Sequence, residues 1–414
     1  MNSDISNNEI TALRDESGKL DSASPEAPLV DSQEFAAATG ESIQNTLDLN
    51  TWTPGEDLFS LYARLEKEAS EAVEQENRIL KGIRSEVFPR LNARPGAPSD
   101  GGVYQATAAE IERVHNGLLF NGAVEACDSA SAIHDTLPLT IVQIGVAAVS
   151  YHGEQGSWVH RIFRRDLRMT GTDPIKEAID LLEQRQRRSE GVAGQRDKVS
   201  TLLKRGITAY AERAVLYQKC QSIWRMGRGN PAPYELLTGA GMSELLEAGL
   251  DLLENLIARY KRFLFVQADP VDRMLLTIGN ALRPLEYAIV DTLKENLAQI
   301  VKKGHYRGEW KKLLNRAEEF ARDVGSQIIV GLYRASAIAP ARMFYAHVEH
   351  AHEAALIALA DSALQEHRGY PTLIDLADAI CGNIFGSGSL NPLAELAYTE
   401  AGDSLKRQSE QKIH

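Results

Sequence analysis

The sequence predicts an α/β fold: one mixed sheet flanked by many helices, with a helical N-terminal arm. Three observations lead there. Three β-type runs stand in succession between Gly122 and Leu167, separated by turn residues. Two more runs, Phe263 to Val266 and Gln327 to Tyr333, stand between long helical segments. A meander followed by alternating helix and strand builds a single sheet with helices packed on it.

Residues 1–50 are rich in Ser, Asn, Asp, Glu and Ala and poor in large apolar residues. That composition predicts a disordered or loosely attached N-terminus. It has neither a basic start nor an apolar run, so it is no secretory signal. From Leu58 onward, Leu61, Leu65, Ala69, Ala72, Ile79 and Ile83 recur at helical spacing among charged residues. Residues 51–95 therefore read as a helical arm. It either packs on its own domain or serves dimerisation or partner docking. The break ARPGAPSDGG, Ala93 to Gly102, follows.

The main domain is expected over residues 103–390. A short helix, ATAAEIERVHNGL, leads into the first strand, Ala123 to Cys127, which ends on one acid, Asp128. The second strand is Leu139 to Tyr151; Gly153 breaks it, and SWVHRIFRRDL is the third. A long helical block follows. Asp173 is its N-cap and Pro174 its first helical residue, and helix is expected as far as Met226. After Pro231 and Pro233, an amphipathic helix from Gly241 runs directly into the fourth strand, Phe263 to Val266. Asp269 stands just beyond, and Pro270 stops the strand. A helical pair, Asp272 to Val301 and Trp310 to Val324, precedes the fifth strand. MFYAHVEH is one more strand or an edge, and a helix and the segment RGYPTLIDLADAICGNIF close the domain. Residues 391–414 form a short helix and a polar tail. With the fourth strand beside the first, this order is that of a ribonuclease H-like sheet.

Bulk properties narrow the function. The net charge is −12, from 45 basic and 57 acidic residues, which disfavours non-specific coating of nucleic acid. It leaves room for a nuclease, whose site is acidic and whose strand-holding groups are local. No apolar run approaches the roughly 18 residues of a spanning helix, so no membrane is expected. The three cysteines, Cys127, Cys220 and Cys381, form no CxxC pair. Structural zinc and a disulfide framework are disfavoured, and a reduced, cytoplasmic setting is expected.

The chemistry is expected at the mouth of the sheet, at the carboxyl ends of the strands. Neighbouring strands lie about 4.8 Å apart, so Asp128 and Asp269 on adjacent parallel strands could share a divalent cation. The helix before the fourth strand runs antiparallel to it, which brings its N-terminal half over the same end. Glu247 is the preferred third ligand there, with Glu244 or Glu235 as fallback. Hard oxygen donors of this kind suit Mn²⁺ or Mg²⁺. The competing readings are ordinary ones. An Asp after a strand is often a cap or turn residue, and acids on an amphipathic helix usually form a solvated face. His347, His350 and His352 form either a metal tract or a polar edge. The chain has neither a GxxxxGK[ST] loop nor a GxSxG elbow.

The segment HRGYPTLIDLADAI resembles the closing motif of NurA nucleases: Gly-Tyr-Pro, a leucine-rich helix, and a His eight residues after the Tyr. Gly369, Tyr370 and Pro371 match, and Asp378 stands where the family usually has His. EACDSAS is similar to the family's first catalytic strand, which ends Asp-Gly-Ser; Asp128 and Ser129 are present without the Gly. IIVGLYRAS resembles a later strand that ends near a Lys in many members; Arg334 stands there. The family's second Asp commonly sits in an Asp-Gly pair after a strand, for which this chain offers only ADP at Asp269. The resemblance implies a metal-dependent, typically Mn²⁺-dependent, DNA nuclease that is dimeric. It also implies a hexameric HerA/FtsK-like DNA-translocating ATPase as partner, in DNA end processing or anti-phage defence. The implied site is Asp128, Glu247, Asp269, Tyr370 and Asp378. The alternative is a catalytically degenerate subunit that only docks on the ATPase.

Overall fold

A computed structural model describes residues 31–52, 58–136, 139–165, 200–268, 273–304 and 310–402, with four more helical positions between 175 and 182. Asp269, the N-cap expected at Asp173 and both chain ends lie outside the described residues. The chain divides into two compact units, Met1–Glu76 and Asn77–His414. In the first, α1 (Ser32–Thr39) is closed by a capping box between Asp31 and Glu34, and α2 (Ile43–Leu47) is capped by Ser42. The long helix α3 (Leu58–Gly82) follows the predicted spacing. Leu58, Leu61 and Leu65 on it are exposed.

The second unit is built on one sheet. Its strands are β1 (Gly102–Gln105), β2 (Val124–Asp135), β3 (Thr140–Ser150), β4 (Gly153–Arg164) and β5 (Trp224–Arg228), then β6 (Phe263–Val266), β7 (Glu286–Thr292), β8 (Ile328–Arg334) and β9 (Arg342–His347). Among the described residues the order is β1-β7-β8-β9-β6-β5-β2-β3-β4. The pairs β2–β5 and β5–β6 are parallel, and the other neighbours are antiparallel. The meander β2-β3-β4 and the mixed sheet are as the sequence predicts.

The neighbour of the Asp128 strand differs from the expected one. It is β5, within the block read as helix, and Phe263–Val266 lies one strand further out. The reason is burial on both faces. A strand covered on both sides shows no alternation, and over five residues periodicity cannot separate it from helix. Arg225 disguised it further, because a charge in mid-run reads as a solvated face. Here Arg225 is buried, donates to the carbonyls of Cys220 (2.6 Å) and Ser222, and lies over the Tyr260 ring at 4.8 Å. β7 was hidden in the same way inside the expected helix Asp272 to Val301. The segment breaks into a helix Arg273–Asn280, the strand, and a helix Lys294–Lys303.

Seven helices matter for the site and core: α4 (Ala108–Val114), α5 (Thr201–Gln218), α6 (Ser243–Leu253), α7 (Lys294–Lys303), α8 (Lys311–Asp323), α9 (Ala351–Ala363) and α10 (Thr372–Phe385). Strand alternation divides the core in two. Phe263 and Phe265 face one layer with Leu216 of α5, Leu250 of α6, Leu297 of α7 and Phe320 of α8. Leu264 and Val266 face the other with Val114 of α4, Ile357 of α9 and Leu373 of α10. No helix among the described residues is long and apolar enough to cross a membrane.

Candidate active site

β2 and β5 run parallel, and their last register pair is Cys127 with Gly227. Asp128 and Arg228 stand one residue beyond it. Arg228 ends β5, whereas β2, expected to end at Cys127, runs on to Asp135 paired with β3. Asp128 therefore marks the end of the β2–β5 pairing and not the end of its strand. Asp128 is 4% exposed. Its Oδ1 accepts from the Ser129 amide at 2.8 Å, while Oδ2 is buried without a hydrogen bond. Arg228 Nη1 faces that oxygen at 3.7 Å and Asp378 Oδ1 at 4.0 Å. Burial first, and then the negative charge of Glu212, push the Asp128 carboxyl up to about 7; Arg228 works against this and Asp378 adds to it.

Glu212 comes from α5. Ser129, next to Asp128 on β2 and so on the opposite face of the strand, donates its hydroxyl to Glu212. Arg213 Nη1 holds the other Glu212 oxygen at 2.5 Å. Arg213 is itself buried and donates to the carbonyls of Asn230 (2.6 Å) and Pro231 (3.2 Å), just past β5. One buried arginine thus ties the helix that carries Glu212 to the loop after β5.

Asp378 comes from α10, which buries Leu373, Ile374, Ala377, Cys381 and Phe385. Spacings of three and four residues place them on one helical stripe. Asp378 follows Ala377 at the edge of that stripe, with its side chain 55% exposed. Gly145 of β3 lets the helix approach, because a Cβ there would stand 2.1 Å from the Phe385 ring. The start of α10 is fixed by Asp361, fully buried at the end of α9. Its Oδ2 accepts from the Leu373 amide at 3.0 Å and its Oδ1 from the Tyr151 hydroxyl. Burial raises the Asp361 carboxyl to about 6, against those two donors. Before the helix, Gly369 takes φ 54°, a left-handed conformation suited to glycine. Tyr370 is buried between the guanidinium groups of Arg342 and Arg368, and its hydroxyl donates to the Val266 carbonyl at 3.4 Å.

Of the residues expected from the sequence, Asp128, Tyr370 and Asp378 therefore gather at one end of the sheet. Glu247 lies exposed on α6, and the helix acid bonded to the residue after Asp128 is Glu212, through Ser129. Glu235, a fallback ligand, is buried and paired with Arg205. Glu244, the other, is fully exposed beside Ser243. Glu212 was missed because the strand that follows its helix was missed. Once β5 is the fourth strand, the preceding helix is α5 and its acid is Glu212. The histidines have separate duties. His347 accepts from the Glu349 amide at 3.2 Å, His350 packs on Trp224, and His352 meets the Tyr287 hydroxyl at 2.9 Å.

Asp128, Glu212 and Asp378 carry hard oxygen donors of the kind Mn²⁺ and Mg²⁺ take, and Asp128 Oδ2, which has no hydrogen bond and already faces a cation, suits one. As the side chains stand, no three His, Cys, Asp or Glu among the described residues are arranged around a metal position. A guanidinium faces Asp128 and Asp378 instead.

No protein-family model matches the sequence, and no curated protein matches it. Solved structures do. The chain is similar to NurA nucleases. The NurA nuclease from Sulfolobus solfataricus superposes with a TM-score of 0.39 at 10% identity, covering 82% of this chain and 98% of that one. A second NurA structure gives 0.42 at 9% identity, over 80% and 97%. NurA with manganese gives 0.38 at 11%, over 82% and 98%.

Proposed function

We propose that the chain is a divalent-metal-dependent DNA nuclease that hydrolyses phosphodiester bonds. The observation that carries this reading is that Asp128 of β2 and Asp378 of α10 face one guanidinium, Arg228, where the β2–β5 pairing ends, with Glu212 of α5 bonded to Ser129 one residue further along β2. The Gly-Tyr-Pro segment that resembles the NurA closing motif supports it, since it leads into the helix that carries Asp378. Asp128 is the central ligand, and Asp378 and Glu212 flank it. A bound Mn²⁺ or Mg²⁺ would supply an activated water and neutralise charge on the leaving oxygen. Ser129 and Arg213 hold the Glu212 carboxylate, and Asp361 holds the helix of Asp378. Tyr370 shapes the floor. Asp269 stays a candidate ligand from sequence order alone. The partner is a hexameric HerA/FtsK-like DNA translocase and the active species a homodimer, in DNA end processing or anti-phage defence; these follow from the motif resemblance.

A second reading, a catalytically degenerate subunit docked on the ATPase, is favoured by one observation. The strand next to Asp128 ends in Arg228-Gly229, where an Asp-Gly pair would be expected from the resemblance. Digestion of linear DNA with Mn²⁺, with Asp128→Asn as control, separates the two: metal-dependent cleavage that the substitution abolishes supports the nuclease, and an inert wild-type protein supports the degenerate subunit.

A further inference from the structure

The carboxylate cluster contains its own cation. Arg228 ends β5, and a single nitrogen of its head group faces both Asp128 and Asp378 at 3.7 and 4.0 Å. Asp128 is almost wholly buried, so its charge, when ionised, is poorly screened by water, and the guanidinium is the counter-charge that faces it. A divalent ion on Asp128 Oδ2 would therefore meet the guanidinium at close range, where two positive charges repel strongly. The Arg228 side chain is 26% exposed, so its head group borders solvent.

We propose that Arg228 is a resident counter-cation which a divalent ion must displace: guanidinium and metal compete for Asp128 and Asp378. This rests on the reading of Asp128 as a metal ligand. The competition keeps the site charge-balanced without metal and lowers its affinity for metal by the free energy of the arginine contacts.

The test is a Mn²⁺ titration of the full chain, followed by the electron paramagnetic resonance signal of free Mn²⁺. It compares wild type with Arg228→Gln, Arg228→Lys and Asp128→Asn. Arg228→Gln is expected to bind Mn²⁺ at least ~10-fold more tightly than wild type, a difference of about 1.4 kcal/mol. Arg228→Lys, which keeps the charge, should stay near wild type, and Asp128→Asn should bind most weakly. The rise in Tm caused by Mn²⁺ should also be larger for Arg228→Gln than for wild type, a comparison that holds even if the substitution lowers the metal-free Tm. If Arg228→Gln binds Mn²⁺ no more tightly than wild type while Asp128→Asn loses binding, the competition is refuted and the metal site stands. If Asp128→Asn binds as wild type does, the metal site itself falls and the competition with it.

Discussion

Ser129 donates its hydroxyl to Glu212, and that bond joins the strand of Asp128 to helix α5 at the edge of the acidic cluster. In the proposed site Glu212 is then the helix acid, which separates it from Glu247, the acid the sequence favoured. Glu212→Gln should lower Mn²⁺-dependent cleavage by about 10–100-fold, the usual cost of losing a group at a metal site. Glu247→Gln, on the exposed face of α6, should leave cleavage within about twofold. Initial rates on the same linear DNA measure both, and a larger loss for Glu247→Gln would reverse the assignment.

Gly145 sets how closely α10 approaches the sheet. Gly145→Ala puts a Cβ into the Phe385 side chain, which must move with its helix. Overpacking of this kind costs about 1–3 kcal/mol. Urea unfolding should show that loss, and cleavage should fall as Asp378 shifts with α10. Full stability in the variant would mean the approach is looser than described.

Asp361 gives a pH dependence whose sign follows from its burial. Its carboxyl is pushed up to about 6 in the folded protein, above the 3.8 of an unperturbed Asp. Between those values the folded state holds a proton that the unfolded state has released, so stability falls as pH rises. The contribution is complete below about pH 4 and gone above about pH 6. Asp361→Asn cannot titrate, so its stability should change less over this window. Thermal unfolding of both proteins at pH 4, 5 and 6 measures the difference, and parallel curves would assign the dependence to other groups.

Much of the fold was legible, and the part that was not has one cause. The meander β2-β3-β4 is long and bounded by turns and was legible, but its first strand runs to Asp135 and holds Asp128 within it, not at its end. Tyr370 and Asp378 came from the motif resemblance alone, and the helix that follows the Gly-Tyr-Pro segment carries Asp378 to Arg228. β5 was not. It has five residues, is covered on both faces, and carries Arg225, whose charge is met by carbonyls rather than water. Losing β5 moved the expected fourth strand to Phe263–Val266. That in turn put the expected helix acid on α6 at Glu247, which is exposed, and left Glu212 on α5 unnoticed. Arg228 itself gave no sign in the sequence, since a cation after a strand looks like any solvated loop residue.

The central claim, that Asp128 is the core of a metal-dependent nuclease site, is met most directly by one measurement. Wild-type protein and Asp128→Asn, prepared alike and shown to be folded, are incubated with linear DNA in Mn²⁺ and in EDTA, and the products are resolved by gel. Degradation by wild type in Mn²⁺ alone, with none by Asp128→Asn, is the expected result. Equal cleavage by the two proteins, or no cleavage by wild type, would contradict it.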